Sequence, residues 1–173
     1  MAKNILIFTG NGKGKSTAAF GMALRAAGHG QRILILQFMK SDNSTGELVS
    51  FREKLGIDIR LTGLGFVPKP GHPKYSAHRE AAQQGFATAS QAMQSGEYDL
   101  LILDEICGAV ACGLIEEEQV LEAVKNARDD LNIVLTGRNA TPAMIEMADT
   151  VTEMVPHKHA LESGTPARQG VEF

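Results

Sequence analysis

Residues 4–21, "NILIFTGNGKGKSTAAFG", decide how the rest of the chain is read. The run NILIFT has the length and unbroken apolar centre of a buried strand. Glycines follow at 10, 12 and 14, and Lys15-Ser16-Thr17 then opens an alanine-rich segment of helical character. Glycine lets the backbone curl until successive N–H groups point inward, and the helix N-terminus adds partial positive charge at the same place. Strand, loop and helix in this order form a cradle for polyphosphate. The spelling departs from the usual G-x-x-x-x-G-K-[ST] because Thr9 stands where the first glycine belongs. The dinucleotide pattern G-x-G-x-x-G fails as well, since Lys15 occupies the third glycine position and its side chain would obstruct helix–strand packing. The candidate nucleotide-binding residues are therefore Gly10, Asn11, Gly12, Lys13, Gly14, Lys15, Ser16 and Thr17. Lys15 and Lys13 supply positive charge, Asn11 and Thr17 polar contacts, and the Ser16 hydroxyl a ligand for Mg²⁺.

The first strand is one of four apolar runs. "RILILQFM" (32–39), "LLILDE" (100–105) and "NIVLTG" (132–137) also lack polar alternation, as parallel strands covered on both faces do. "IDIRLT" (57–62) and "TVTEMV" (150–155) alternate more and suit sheet edges. Helical segments are expected at 15–27, 46–55, 74–94, 116–128 and 142–147, with Gly28 and Gly30 ending the first. Strands alternating with helices predict an α/β protein. The expected fold is three-layered and P-loop NTPase-like, with a mainly parallel central sheet of about six strands. At 173 residues and 43% hydrophobic content, one domain over 1–173 is expected. The stretch "GLGFVPKPGHP" (63–73) packs three prolines and three glycines into an irregular loop at a strand's carboxyl end, the place for a lid or ligand loop.

Two further stretches carry chemistry. "LLILDE" sets Asp104 and Glu105 at the carboxyl end of a buried strand, where parallel sheets place ligands and carboxylates hold Mg²⁺ directly or through water. The structural alternative for Asp104 is an N-cap. "VLTGRNATP" (134–142) brings Arg138 to the same edge, as a phosphate contact or as plain loop, and ends with Thr141-Pro142 as the cap and first turn of a helix. The histidines lack metal-ligand spacing, and Cys107 and Cys112 form neither a zinc pattern nor a nucleophile motif. A net charge of −3 with scattered Lys and Arg argues against nucleic acid as a partner. No run of membrane-spanning length occurs, and "MAKNILIFTG" lacks the apolar core of a signal peptide, so a cytoplasmic protein is expected.

The motifs "TGNGKGKST…AAFG", "GHG", "QF.K", "LDE", "TGR", "ADTVTEM" and "KHALESGTPARQGVEF", in order from Ile5 to Phe173, resemble those of the P-loop corrinoid adenosyltransferases. The resemblance implies transfer of the 5′-deoxyadenosyl group of ATP to Co(I) of a reduced corrinoid, with release of triphosphate. ATP would lie in the sense opposite to most P-loop proteins, presenting C5′ to the corrin. By the same resemblance Gly10 to Thr17 hold the triphosphate, Ser16 and Glu105 serve Mg²⁺, Asp104 supports the metal or its waters, and the catalytic candidates are Lys15, Glu105 and Phe66. Family members carry a Phe-Thr-Trp stretch near the corrin; this chain has no tryptophan, and Phe66 is the nearest apolar candidate for the lower corrin face. A homodimer and a flavoprotein reductant are implied as partners. Two other readings remain open: a P-loop ATPase or small-molecule kinase, in which Glu105 activates water or Asp104 a substrate hydroxyl, and a non-catalytic corrinoid- or nucleotide-binding module.

Overall fold

The computed structural model describes residues 3–160 and 164–171; part of the C-terminal stretch that carries the resemblance, 161–163 and 172–173, lies outside them. Strands β1 (Asn4–Thr9), β2 (Ile33–Gln37), β3 (Asp58–Leu61), β4 (Leu100–Asp104), β5 (Asn132–Thr136) and β6 (Thr150–Glu153) form one sheet in the order β3-β2-β4-β5-β1-β6. Every pairing is parallel. Helices α1 (Lys15–Gly28), α2 (Gly46–Val49, continued by a π-helical turn over Ser50–Lys54), α3 (Tyr75–Ser95), α4 (Ile106–Ala111), α5 (Glu117–Lys125) and α6 (Pro142–Met147) alternate with the strands.

Period-two side-chain alternation divides the strands between two apolar layers. Leu34, Leu36, Leu101, Leu103, Ile133 and Leu135 pack with Ala82, Phe86 and Met93 of α3 and with Val120 and Val124 of α5. Their neighbours Ile33, Ile35, Leu100, Ile102 and Val134 pack with Ala19, Phe20 and Ala23 of α1 and with Leu48 and Phe51. Every residue of β2 and β4 is buried, as their unbroken apolar spelling requires, whereas β3 and β6 are edges with exposed positions.

Some boundaries differ from those expected. Helix α1 runs through Gly28 and closes on His29 and Gly30, whose N–H groups reach the Ala26 and Ala27 carbonyls. Helix α5 stops at Lys125 because Arg128 N donates to Met93 O at the end of α3, which draws the chain out of the helix. The short α4, directly after Glu105, was not expected; its sequence ICGAVA is buried almost throughout and shows no helical period. Thr141 caps α6 as its Thr-Pro spelling predicts, its hydroxyl accepting from Met144 N at 3.2 Å.

The two ends of β4 are tied to both neighbouring strands by aspartates. At the start, the Asp99 carboxylate accepts from Arg32 N and from the Arg32 guanidinium, while Asp99 O accepts from Asn132 N. These bonds hold the Asp99 carboxyl at about 2, well below its ordinary value. At the far end Asp104 does the same work, fully buried. Between 63 and 74 the chain forms no helix or strand. Thr62 N and Oγ1 anchor the start of this loop on Gln37 O, and Val67 packs on the core.

Glycines in two helices predict opposite stability effects. A Cβ on Gly85 in α3 would lie 2.4 Å from Thr62 Cβ, so Gly85→Ala should force α3 away from β3 and cost about 1–3 kcal/mol. Gly28 has open space around it in the last turn of α1, so Gly28→Ala should gain up to about 1 kcal/mol. Urea unfolding of both variants checks this; a stabilising Gly85→Ala would contradict the close α3–β3 packing.

Candidate active site

β1 ends at Thr9, and the backbone turns through Gly10 (φ 94°) and Gly14 (φ 114°) into α1. Both glycines adopt a left-handed conformation that disfavours a side chain. A neighbour adds a second constraint. Gly12 N donates to Met154 O at 2.6 Å, and a Cβ on Gly10 or Gly12 would lie 2.5 or 2.7 Å from that same oxygen. The exit of β6 therefore presses directly on the loop. Thr9, the departure from the usual spelling, is buried: its hydroxyl accepts from Ala140 N at 3.3 Å, and its carbonyl accepts from Met154 N at 2.8 Å. The hydroxyl joins β1 to the segment after β5, which a glycine could not do.

Lys15 is 8% exposed and its Nζ folds back onto Gly12 O at 2.8 Å. Burial holds its ammonium below the usual lysine value; Glu105 opposes this shift and Arg138 adds to it. Lys13, Gly14, Lys15, Ser16 and Thr17 line a cleft of about 680 Å³, with Glu105 on the same wall system. Asn11 is exposed beside it. The sequence reading missed several other parts of this cleft. Lys40 lies three residues past β2, bonds Glu47 Oε1 at 2.6 Å and sits 6.0 Å from the Phe20 ring centroid. Phe20 and Phe51 meet edge-to-face with centroids 5.5 Å apart and form an apolar wall. Gly170 and Val171 of the C-terminal segment close another side. Phe20 and Phe51 lie on helices with no local cue to the cleft, and Lys40 follows a strand's carboxyl end, where ligands gather.

Asp104 is fully buried, with Oδ1 accepting from Thr136 Oγ1 at 2.8 Å and Oδ2 from Gln37 Nε2 at 3.1 Å. It caps no helix: Glu105 holds the N-cap position of α4 and makes no side-chain cap bond. Glu105 has φ 64°, unusual for a residue with a side chain, and such backbone costs about 1–3 kcal/mol unless its surroundings enforce it. Burial pushes its carboxyl above the ordinary glutamate value, and the Asp104 charge adds to this; Lys15, Arg138 and Lys40 act against it. Arg138 is exposed at the rim after Gly137, close enough for its charge to reach Lys15 and Glu105. Phe66 stands elsewhere. It is 94% exposed on the 63–74 loop and is not part of the cleft wall.

Chemically, one end of the cleft offers lysine charge and two hard oxygen donors, the Ser16 hydroxyl and the Glu105 carboxylate, a set whose chemistry fits Mg²⁺. Asp104 has both oxygens engaged by Thr136 and Gln37. Among the described residues no cysteine lines the cleft; Cys107, buried behind it in α4, has its thiol pushed up to about 12 by burial and stays protonated near neutral pH.

Residues 2–173 match the family described as ATP:corrinoid adenosyltransferase BtuR/CobO/CobP. The chain belongs to this family. It is similar to the corrinoid adenosyltransferase of Pseudomonas aeruginosa, 40% identical over 171 residues, which span 98% of this chain and 83% of the relative. Similarity to the corrinoid adenosyltransferase of Escherichia coli (strain K12) is 33% over 169 residues, 98% of this chain and 85% of that one. Among solved structures the fold is similar to the flagellar accessory protein FlaH of Methanocaldococcus jannaschii, with a TM-score of 0.52 at 12% identity over 88% of this chain and 70% of the other. That likeness concerns the fold alone.

The contact between the loop and Met154 gives a test. Gly12→Ala should weaken ATP binding by about tenfold or more, because the methyl group and Met154 O cannot both keep their places. Adding Met154→Ala should not restore binding, since the obstructing atom belongs to the backbone. Calorimetric titration of ATP into both variants measures it, and recovery in the double variant would show that the obstruction lies in the Met154 side chain.

Proposed function

We propose that this corrinoid adenosyltransferase family member moves the 5′-deoxyadenosyl group of ATP onto the Co(I) centre of a reduced corrinoid and releases triphosphate. One observation carries the reading: a glycine-rich loop with lysine charge and hard oxygen donors lines a cleft whose wall carries no cysteine among the described residues. Co(I) needs no protein nucleophile. Its electron pair forms the Co–C bond to C5′, the C5′–O bond breaks, and that bond's electrons leave with triphosphate while the cobalt becomes formally Co(III). Negative charge grows on the leaving group, where the loop N–H groups and Lys15 act most strongly. Lys15, held on Gly12 O by its own loop, needs only to transfer that bond to a phosphate oxygen. Lys13, Asn11, Thr17 and Arg138 supply further phosphate contacts. Ser16 and Glu105 would hold Mg²⁺, which would neutralise triphosphate charge, with Asp104 directly behind them at the end of β4.

The same reading assigns Phe66 and its loop to the corrin, with Phe66 against the lower face to displace an axial ligand and ease reduction of Co(II). It also carries a homodimer and a flavoprotein as the one-electron donor, both resting on the family resemblance, and a cytoplasmic setting, which rests on the sequence. Sedimentation of the purified chain tests the dimer, which a monomer at working concentration would refute.

Incubation with ATP, Mg²⁺ and cob(I)alamin without oxygen should produce the Co–C absorption spectrum and inorganic triphosphate in equal amounts. ADP as the product would instead identify an ATPase or kinase. Lys15→Ala should lower turnover by a factor of about 10²–10³ while the melting curve persists. Turnover near that of the unmodified enzyme would remove Lys15 from the reaction. Phe66→Ala should impair adenosylation starting from Co(II) more than from chemically prepared Co(I), and equal losses would separate Phe66 from the reduction step.

A further inference from the structure

Three neighbouring strands, β2, β4 and β5, end in Gln37, Asp104 and Thr136, and none of these residues is exposed. Their hydrogen bonds converge on Asp104. Glu105 N can only donate, and it donates to Thr136 Oγ1 at 2.9 Å. The hydroxyl then gives its own proton to Asp104 Oδ1 at 2.8 Å, and Gln37 Nε2 supplies the other carboxylate oxygen at 3.1 Å. The last link of this chain is the backbone of the one residue at this edge that combines a left-handed conformation with a carboxylate on the cleft wall.

The remaining side is closed by backbone. Gly137 (φ 133°) follows Thr136, and a Cβ there would lie 2.7 Å from Gly108 N in α4. A Cβ on Gly108 would in turn lie 3.0 Å from Glu105 Oε2. Small residues let the exit of β5 approach α4 closely enough to fix the position of Glu105.

Joining strands does not require a buried charge. At the opposite end of β4 an exposed Asp99–Arg32 pair ties the same two neighbours. Buried Asp104 has a desolvation cost, and Gln37 Oε1 finds no hydrogen-bond partner among the described residues, a feature that native cores rarely tolerate without a use. We propose that Gln37, Asp104 and Thr136 form a clamp that holds Glu105 in its left-handed conformation with its carboxylate toward the cleft, making Gln37 and Thr136 positioning residues for the metal-binding glutamate. The inference deepens the proposed function and rests on Glu105 as the Mg²⁺ ligand.

The test uses Mn²⁺ as a spectroscopic probe, titrated into the full chain in the presence of ATP and followed by electron paramagnetic resonance. Thr136→Val and Gln37→Met should each weaken Mn²⁺ binding about 10- to 100-fold while metal-free ATP affinity stays close to that of the unmodified chain. Thr136→Ser, which keeps the hydroxyl, should restore Mn²⁺ binding. Hydrogen exchange at the Glu105 amide should accelerate in Thr136→Val and not in Thr136→Ser. Folded Val and Met variants with unaltered Mn²⁺ affinity would overturn the clamp even where Glu105→Gln abolishes binding. Unaltered Mn²⁺ affinity in Glu105→Gln would overturn the metal role of Glu105 itself, and the clamp with it. A Thr136→Val chain that does not fold leaves Gln37→Met to decide by the same readout.

Discussion

A carboxylate buried at the carboxyl end of β4 sets the terms for the rest of this site. Asp104 is fully buried, and its carboxylate takes hydrogen-bond donors from protein. They come from both sides, Gln37 on β2 and Thr136 on β5, which is possible only with β4 between those two strands. That arrangement separates β4 from β1 by the width of one strand. The phosphate loop and Glu105 thus face each other across the end of β5, and the cleft opens between them.

Within the cleft, burial drives two opposite charges toward neutrality. The Lys15 ammonium is lowered and the Glu105 carboxyl raised, each chiefly by loss of water. In the proposed reaction a triphosphate with its metal would offer what each group lacks: anionic oxygens for the lysine and a cation for the glutamate. The charges are preorganised before substrate arrives, and such preorganisation is worth most where negative charge develops on a leaving group. The apolar wall of Phe20 and Phe51 beside these charges keeps the local dielectric low.

Close backbone approach recurs around this edge of the sheet. Met154 O presses on Gly10 and Gly12, and Gly137 presses on Gly108 N. Each contact excludes a side chain on one partner, so the glycines here answer to neighbours distant in sequence as much as to their own φ angles. The same crowding explains Thr9. Its hydroxyl binds Ala140 N where the usual first glycine would leave that donor to find another partner.

Local spelling determined much of this protein. Unbroken apolar runs marked β1, β2, β4 and β5, alternating runs marked the edges β3 and β6, and Gly10 to Thr17 and Asp104-Glu105 marked the two sides of a nucleotide cleft. These features were legible because each depends on residues adjacent in the chain: side-chain period, glycine freedom and the Thr-Pro start of α6. Strand order was not legible, because it depends on pairings between strands remote in sequence. For the same reason Gln37 and Thr136 read as ordinary strand ends, Lys40 and Phe51 joined the cleft unannounced, and α4 passed unnoticed. Phe66 was placed by resemblance, and the fold sets it on an exposed loop away from the phosphate cleft. The sequence by itself determined the six strands, five of the helices and the phosphate chemistry, which arise from neighbours along the chain; only tertiary structure decided how β5 separates β1 from β4 and how three strand ends meet beside Glu105, because those contacts join residues remote in sequence.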